Sequence, residues 1–285
     1  MPPGKRHSMR AVVLGAFGSA DHFRVEELPM PDVRPGQVRV QVKAASFNPV
    51  DYQIRRGQPE SRNVHSMILG RDLSGTVDAV HESVTDFSVG DDVFGYVGRL
   101  ASSGTYAEYV SVPAELLARK PASLTHEEAA AVPVAGITAS LALAKVRAGE
   151  GKSVFIAGGA GGVGTFAILL ARHLGVRNLV ATAGNARSRE YLIERCGLDG
   201  DRIIDYNDGD FRARALERNG GAFDIALDLV GGRMLSACCA LLAVDGDLAS
   251  VTEAPGQDDF ETLFQVNASF HPIGANAYSL IDDRA

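Results

Sequence analysis

The chain has no tryptophan and only three cysteines, Cys196, Cys238 and Cys239. An odd number with two in succession offers no disulfide framework, so a reducing, cytoplasmic setting is expected. The adjacent pair lies in an apolar segment and reads as small buried hydrophobes. No apolar run reaches the ~20 residues that cross a bilayer, so no membrane partner is expected. No apolar stretch follows Lys5 and Arg6, so no secretory leader is expected and residues 1–8 read as a tail. Basic residues are also short in supply: 28 Lys and Arg stand against 35 Asp and Glu, a net charge of −7. That balance speaks against a nucleic-acid-binding face. The seven histidines are scattered, and no G-x-S-x-G elbow is present.

What remains is a chain of 285 residues, 46% hydrophobic, long enough for a core of about two domains. Glycine is abundant, 31 of 285 or about 11% against a usual ~7%, and its placement is informative. The first half reads as short strands between turns. Arg10–Leu14, Gln37–Lys43, Leu73–Val80, Asp92–Val97 and Tyr106–Val112 are strand candidates, and Pro35-Gly36 and Gly90-Asp91 are turn signals. The pattern changes near residue 123. Thr125 and Glu128 have the spacing of a helix capping box. A helical stretch follows that Pro133 interrupts and Gly136–Val146 continues. From Lys152 onward strands and helices alternate: strands at Ser153–Ala157, Asn178–Thr182, Arg202–Asp205, Phe223–Leu229, Asp247–Val251 and Ser269–Gly274, with helices at Thr165–Leu174 and Arg187–Cys196. Such alternation predicts a doubly wound parallel sheet.

The strand Ser153–Ala157 runs into Gly158-Gly159-Ala160-Gly161-Gly162-Val163-Gly164, and a helix follows. Gly159, Gly161 and Gly164 fit G-x-G-x-x-G in the strand–turn–helix setting that the motif requires. One glycine allows the tight turn, one lets a pyrophosphate approach the backbone, and one lets helix and strand pack closely. The helix N-terminus offers free amides to the phosphates, so Gly162 and Val163 join the predicted cofactor contacts. A site for the unphosphorylated dinucleotide places an acid after the second strand. Here that strand is followed by Ala183-Gly184-Asn185-Ala186-Arg187-Ser188-Arg189, with no acid before Glu190. Arginines there suit a 2′-phosphate, so the expected cofactor is NADPH, with Asn185, Arg187 and Arg189 as candidate contacts.

Five stretches, in order, resemble the zinc-free quinone oxidoreductase branch of the medium-chain dehydrogenase/reductase superfamily. They are Asn48-Pro49-Val50-Asp51-Tyr52 with Arg56-Gly57; Gly70-Arg71-Asp72-Leu73-Ser74-Gly75-Thr76-Val77; Gly90-Asp91-Asp92-Val93; Gly104-Thr105-Tyr106-Ala107-Glu108-Tyr109; and the glycine loop. The resemblance spans about residues 9–275. It implies an α/β fold of two parts: a β-rich GroES-like catalytic domain (9–124) and a Rossmann NADPH-binding domain (125–275), followed by a remnant (276–285). Asn48 and Arg71 stand where the metal-dependent relatives carry cysteine and histidine, and neither is a usual zinc ligand, so no metal is expected.

The resemblance implies hydride transfer from NADPH to a quinone or an α,β-unsaturated carbonyl. It places Asn48 beside the nicotinamide and the acceptor, where its amide can donate to a carbonyl oxygen. Asp51 and Tyr52 join it as candidate catalytic residues, Asp51 more as an organiser of its loop and Tyr52 as a hydroxyl or ring facing the acceptor. Thr138, Tyr206, Val230 and Gly231 match cofactor-side positions. Relatives pair their last Rossmann strand across a dimer axis, so Ser269–Gly274 implies a homodimer. Family members continue some tens of residues further, so the catalytic domain is expected to lack its closing segment. Two alternatives stand beside the reductase: an NADPH-binding protein without turnover, and an enoyl-thioester reductase.

Overall fold

The computed structural model describes residues 7–98 and 101–274. Most of the expected tail and the whole of the expected remnant 276–285 lie outside the described residues. The chain divides into two compact units between Val134 and Ala135.

In the first unit, β1 (Ser8–Leu14) and β2 (Phe23–Pro29) pair antiparallel from Ser8 opposite Pro29 to Leu14 opposite Phe23. β3 (Gln37–Ala45) shows the expected alternation: Val38 and Val40 are fully buried while their neighbours are partly exposed. After it come α1 (Pro49–Arg55), β4 (Asp72–Val80), β5 (Asp92–Tyr96), β6 (Tyr109–Pro113) and β7 (Leu117–Arg119). These strands form an antiparallel sheet of five in the order β6-β3-β4-β5-β7. Val38, Val40, Leu73, Val77, Val93, Val110 and Val112 make its core. The capping box starts α2 (His126–Ala130): the Thr125 hydroxyl accepts from the Glu128 amide at 3.2 Å, and the Glu128 carboxylate accepts from the Thr125 amide at 2.9 Å.

The sequence pattern groups α2 with the second domain, from residue 125. Instead, α2 packs on β3, β4 and β5, with His126 Nδ1 2.8 Å from Ser74 Oγ. The Val134 amide donates to Asp72 at 2.9 Å, which ties the following turn to the same sheet. The division of the two units therefore falls at 134 rather than 124.

As expected, the helical stretch is interrupted at Pro133: α2 ends at Ala130 and α3 (Pro133–Lys145) starts at the proline, where a first-turn proline costs no hydrogen bond. In the second unit there follow β8 (Ser153–Ala157), α4 (Gly162–His173), β9 (Asn178–Ala183), α5 (Ala186–Glu194), β10 (Ile203–Asp205), α6 (Phe211–Asn219), β11 (Phe223–Asp228), α7 (Arg233–Ala240), β12 (Leu242–Ser250), α8 (Gln257–Gln265) and β13 (Ser269–Pro272). The six strands are all parallel, in the order β10-β9-β8-β11-β12-β13. With β8 counted first this is the 3-2-1-4-5-6 order of a dinucleotide-binding sheet. Every residue of β8 is buried, as a central strand covered on both faces must be. Leu143, Ile168 and Leu192 cover one face, against Ile156 and Ile225. Leu235, Cys238 and Leu263 cover the other, against Phe155 and Phe223. Each such side chain contributes roughly 1.5–3 kcal/mol by leaving water. All three cysteines are free and buried, and burial pushes the Cys239 thiol up to about 12.

Candidate functional site

In each unit the structure gathers some of the residues singled out from sequence. In the second unit they gather where β8 and β11 end. β8 leaves the sheet at Ala157, and Gly161 is the N-cap of α4. A Cβ on Gly164 would fall 2.3 Å from the Gly158 carbonyl oxygen and 2.6 Å from that of Gly159, so the helix lies on the turn as only glycine allows. α4 starts at Gly162, three residues before the expected Thr165 (162 against 165), because Gly162, Val163 and Gly164 form its first turn. The first amides of a helix such as this have no intrahelical partners.

A cavity of about 370 Å³ opens there. Gly158, Ala160 and Gly161 line it from the glycine turn; Thr182, Ala183, Gly184 and Ser188 from the end of β9 and the start of α5; and Tyr206, Val230, Gly231, Arg233 and Met234 complete the wall. No carboxylate is among the lining residues. Gly184 sits under Tyr206 so closely that a Cβ would fall 2.2 Å from its ring. Asp228 shapes the opposite lip. One of its carboxylate oxygens accepts from the amides of Val230 and Gly231 at 3.2 and 2.9 Å, and the other from the hydroxyls of Ser250 and Thr252 at 2.9 and 2.8 Å.

Of the predicted cofactor contacts, Gly161, Tyr206, Val230 and Gly231 line this cavity, while Gly159, Gly162, Val163 and Gly164 build the turn beside it. Asn185 caps α5, its side chain accepting from the Ser188 amide at 2.9 Å. Thr138 is buried on α3 and is not in the wall. Arg187 is exposed in the first turn of α5. Arg189 turns away from the cavity: its guanidinium donates to the carbonyl of Ile203 at 2.8 Å and to that of Gly200 at 2.5 Å. Sequence reasoning missed Thr182, Ser188, Arg233 and Asp228; the position of Thr182 at the end of the second strand is the one signal that pointed there.

In the first unit the gathering centres on the start of α1. Asn48 is the N-cap and Pro49 the first helical residue. Asp51 is 2% exposed and fully engaged. It accepts from the Asn48 amide at 2.9 Å, the Gly70 amide at 3.2 Å and the Tyr106 hydroxyl at 3.1 Å. Burial pushes its carboxyl above the ordinary range, and these donors and the nearby Arg71 pull the other way. Its three donors tie the start of α1 to the Gly70 turn and to Tyr106. Burial likewise pushes the Tyr106 hydroxyl up, with Asp51 adding to the effect.

The Asn48 side chain meets a second buried carboxylate. Asn48 Nδ2 lies 2.8 Å from Asp72 Oδ2 and 3.1 Å from Ser46 Oγ, and Ser46 Oγ donates to the same Asp72 oxygen at 2.5 Å. Asp72 Oδ1 accepts from the Val134 amide at 2.9 Å. Burial raises the Asp72 carboxyl to about 6 in spite of these donors. Tyr52 stands apart from this network: its ring stacks with Phe47 at 6.4 Å, and the Arg56 guanidinium lies 5.1 Å over it. The motifs contained Asp72 and Tyr106, but their spacing alone did not show that they close around Asn48 and Asp51.

A zinc ion does not fit this donor set. Arg71 has no lone pair to offer, and Asn48 directs an N–H at its carboxylate neighbour. Among the described residues no three His, Cys, Asp or Glu side chains gather as a metal site. Among the same residues no helix is long and apolar enough to cross a membrane.

Comparison with known proteins agrees with the two-part architecture. Residues 34–122 match the Alcohol dehydrogenase GroES-like domain family and residues 162–280 the Zinc-binding dehydrogenase family. The chain is 34% identical over 230 residues to 2-methylene-furan-3-one reductase of Solanum lycopersicum, covering 78% of this chain and 57% of that protein. It is 32% identical over 267 residues to the chloroplastic NADPH-dependent alkenal/one oxidoreductase of Arabidopsis thaliana, covering 91% and 66%. The chain thus spans less than two thirds of the length of either. Among solved structures, an alcohol dehydrogenase superfamily protein from Novosphingobium aromaticivorans is similar with a TM-score of 0.84 and 33% identity, over 97% of this chain and 82% of that one. The antiparallel sheet of the first unit, the 3-2-1-4-5-6 sheet of the second and these matches place the chain in the medium-chain dehydrogenase/reductase superfamily, to which the alcohol dehydrogenases belong.

Proposed function

We propose that this chain is an NADPH-dependent, metal-independent reductase of α,β-unsaturated carbonyls or quinones. The observation that carries the cofactor assignment is the wall of the glycine-turn cavity. It joins glycine backbone and an open helix N-terminus to Ser188 and Tyr206, and includes Arg233 but no carboxylate. Phosphate oxygens are favoured at such a helix end, and a 2′-phosphate meets no repelling acid after β9. Gly161, Gly162 and Val163 would hold the pyrophosphate, Ser188 and Arg187 the 2′-phosphate, and Tyr206 would flank the adenosine. Arg189 would contribute less, since its guanidinium is bonded to backbone carbonyls. Val230 and Gly231, held by Asp228, would border the nicotinamide side, with Thr138 near it.

When bound, the nicotinamide supplies the reducing power. The chain's own residues bind, orient and polarise. Asn48 would donate to the acceptor's carbonyl oxygen, a neutral donor where metal-dependent relatives use an ion. Asp51 would hold the Asn48 loop, and Tyr52 would offer its ring or hydroxyl to the acceptor. The names of the two plant relatives support a conjugated carbonyl as the acceptor class. The same reading includes a homodimer through β13, a strand at the edge of the parallel sheet, and a cytoplasmic setting for three buried free thiols.

Titration with NADPH and NADH, followed by intrinsic tyrosine and nicotinamide fluorescence, tests the assignment. The expected result is tighter binding of NADPH; equal affinity for the two would remove the 2′-phosphate argument.

A further inference from the structure

The triangle of Ser46, Asn48 and Asp72 has a geometry that constrains what Asn48 can do. Its sides are 2.5 Å from Ser46 Oγ to Asp72 Oδ2, 2.8 Å from Asn48 Nδ2 to Asp72 Oδ2, and 3.1 Å from Asn48 Nδ2 to Ser46 Oγ. By the cosine rule, (3.1² + 2.8² − 2.5²)/(2 × 3.1 × 2.8) is about 0.65, so the two acceptors subtend about 50° at the amide nitrogen. The two N–H bonds of a planar carboxamide diverge by about 120°. Both acceptors therefore lie around one N–H, and the second N–H points elsewhere. A carboxamide with one N–H fixed has its plane fixed too, and with it the direction of the other N–H and of Oδ1.

We propose that Asp72, with Ser46 as its bridge, is a positioning residue: it captures one N–H of Asn48 and so aims the other N–H at the acceptor's carbonyl oxygen. Asp72 itself touches no ligand. It is 1% exposed, its Oδ1 is taken by the Val134 amide, and its Oδ2 faces Ser46 and Asn48. A carboxylate is suited to this role because it only accepts hydrogen bonds when ionised and so admits the Asn48 amide in one sense: nitrogen toward Asp72. Capture by a charged acceptor also holds the amide more firmly than a neutral one would. An aimed, immobilised donor needs no reorganisation as charge develops on the carbonyl oxygen, and so stabilises the transition state more than a freely rotating amide.

The proposal rests on the reductase reading, and its test separates the two. NADPH-dependent reduction of an enone is measured in Asn48→Ala, Asp72→Asn and the double variant. If Asp72 acts through Asn48, each single variant loses about tenfold or more in kcat/KM and the double loses no more than about twofold beyond the worse single. A role in folding alone would give multiplied losses, about a hundredfold in the double, and would overturn the proposal. Ser46→Ala leaves Asp72 intact and is the milder probe: about a two- to threefold loss in wild-type background and none in Asn48→Ala. A readout free of turnover is the Asn48 side-chain amide in the nuclear magnetic resonance spectrum of the free chain. The proton held by Asp72 should lie further downfield than in a free carboxamide, and its shift should return toward the free-carboxamide value in Asp72→Asn and move part of the way in Ser46→Ala. Absent turnover in the wild type with this signature present would overturn the reductase reading and leave the positioning of Asn48 standing. Both protons at their free-carboxamide shifts in the wild type would overturn the positioning whatever the activity.

Discussion

The two gatherings of candidate residues are built by different means. At the end of β8 and β11 the surface is largely main chain: glycines that let α4 lie on its turn, and amides of a helix N-terminus. At the start of α1 it is side chains held by side chains, with Asp51 and Asp72 binding donors that come from residues 46, 48, 70, 106 and 134. Main-chain surfaces bind what many relatives share, the phosphates of a dinucleotide. Side-chain clusters can vary while the fold persists, and here a carboxamide, Asn48, is held by a buried carboxylate, Asp72. Under the proposed function, binding and chemistry would sit on parts with different tolerance to change.

Mutations can break that comparison, and the largest effect is expected at Gly164. A Gly164→Val variant puts its Cβ against the carbonyls of Gly158 and Gly159. NADPH affinity should fall by about a hundredfold or more in a fluorescence titration, since the turn must open to admit the side chain. Asn48→Ala should leave that affinity within about twofold; an equal loss in both variants would show that the two clusters do not divide the work.

The next effect concerns pH. Burial raises the Asp72 carboxyl to about 6, from an ordinary aspartate value of 3.8. In that window the native state binds the proton and the unfolded state does not, so stability from this group is present below about pH 4 and is lost as pH rises through 6. The shift corresponds to roughly 3 kcal/mol. Urea unfolding of wild type and Asp72→Asn between pH 4 and pH 7 should show the wild type losing stability relative to the variant as pH rises. A constant difference would mean that Asp72 does not titrate in this range.

Asp51→Asn is expected to cost about 2 kcal/mol, measured as a lower urea midpoint. An amide cannot accept at both positions from the Asn48 amide, the Gly70 amide and the Tyr106 hydroxyl, and a buried donor is left unpaired. NADPH affinity should not follow. The smallest effect divides the arginines after β9. Arg187→Ala should weaken NADPH binding by about fivefold and leave NADH unchanged, a loss of about 1 kcal/mol as expected for an exposed charge–phosphate contact. Arg189→Ala should chiefly lower stability, because it removes the donor to the carbonyls of Ile203 and Gly200.

The same contrast explains how much was legible in the sequence. The glycine turn, the parallel strands and the Thr125–Glu128 box are written in local chemistry; all are present, though β12 begins at Leu242, five residues before the expected Asp247. Elements with little local signature were missed. β2 alternates poorly because almost none of it is buried. α6 and α8 each bury a single residue, Ala215 and Leu263, so their apolar stripe is too thin to read. α1 has seven residues and depends on Asp51 at its first turn. In the first-unit cluster, Asn48 and Asp51 could be named from their motif, but their partners could not. Asp72 and Tyr106 lie 24 and 55 residues further along the chain, and only the pairing of β4 with its neighbours and the loop before β6 bring them close. Similarly, the place of Arg189 after β9 is legible in the sequence, while its bonds to the carbonyls of Ile203 and Gly200 are visible only in the fold.

The central claim is reduction of a conjugated carbonyl or quinone by NADPH without a metal. Its most direct test is the consumption of NADPH, followed by absorbance, with an alkenone and a quinone as acceptors, in buffer with and without EDTA. The account predicts turnover that prefers NADPH to NADH and is indifferent to the chelator. Bound NADPH with no consumption on any acceptor, or activity that vanishes with EDTA and returns with zinc, would contradict it.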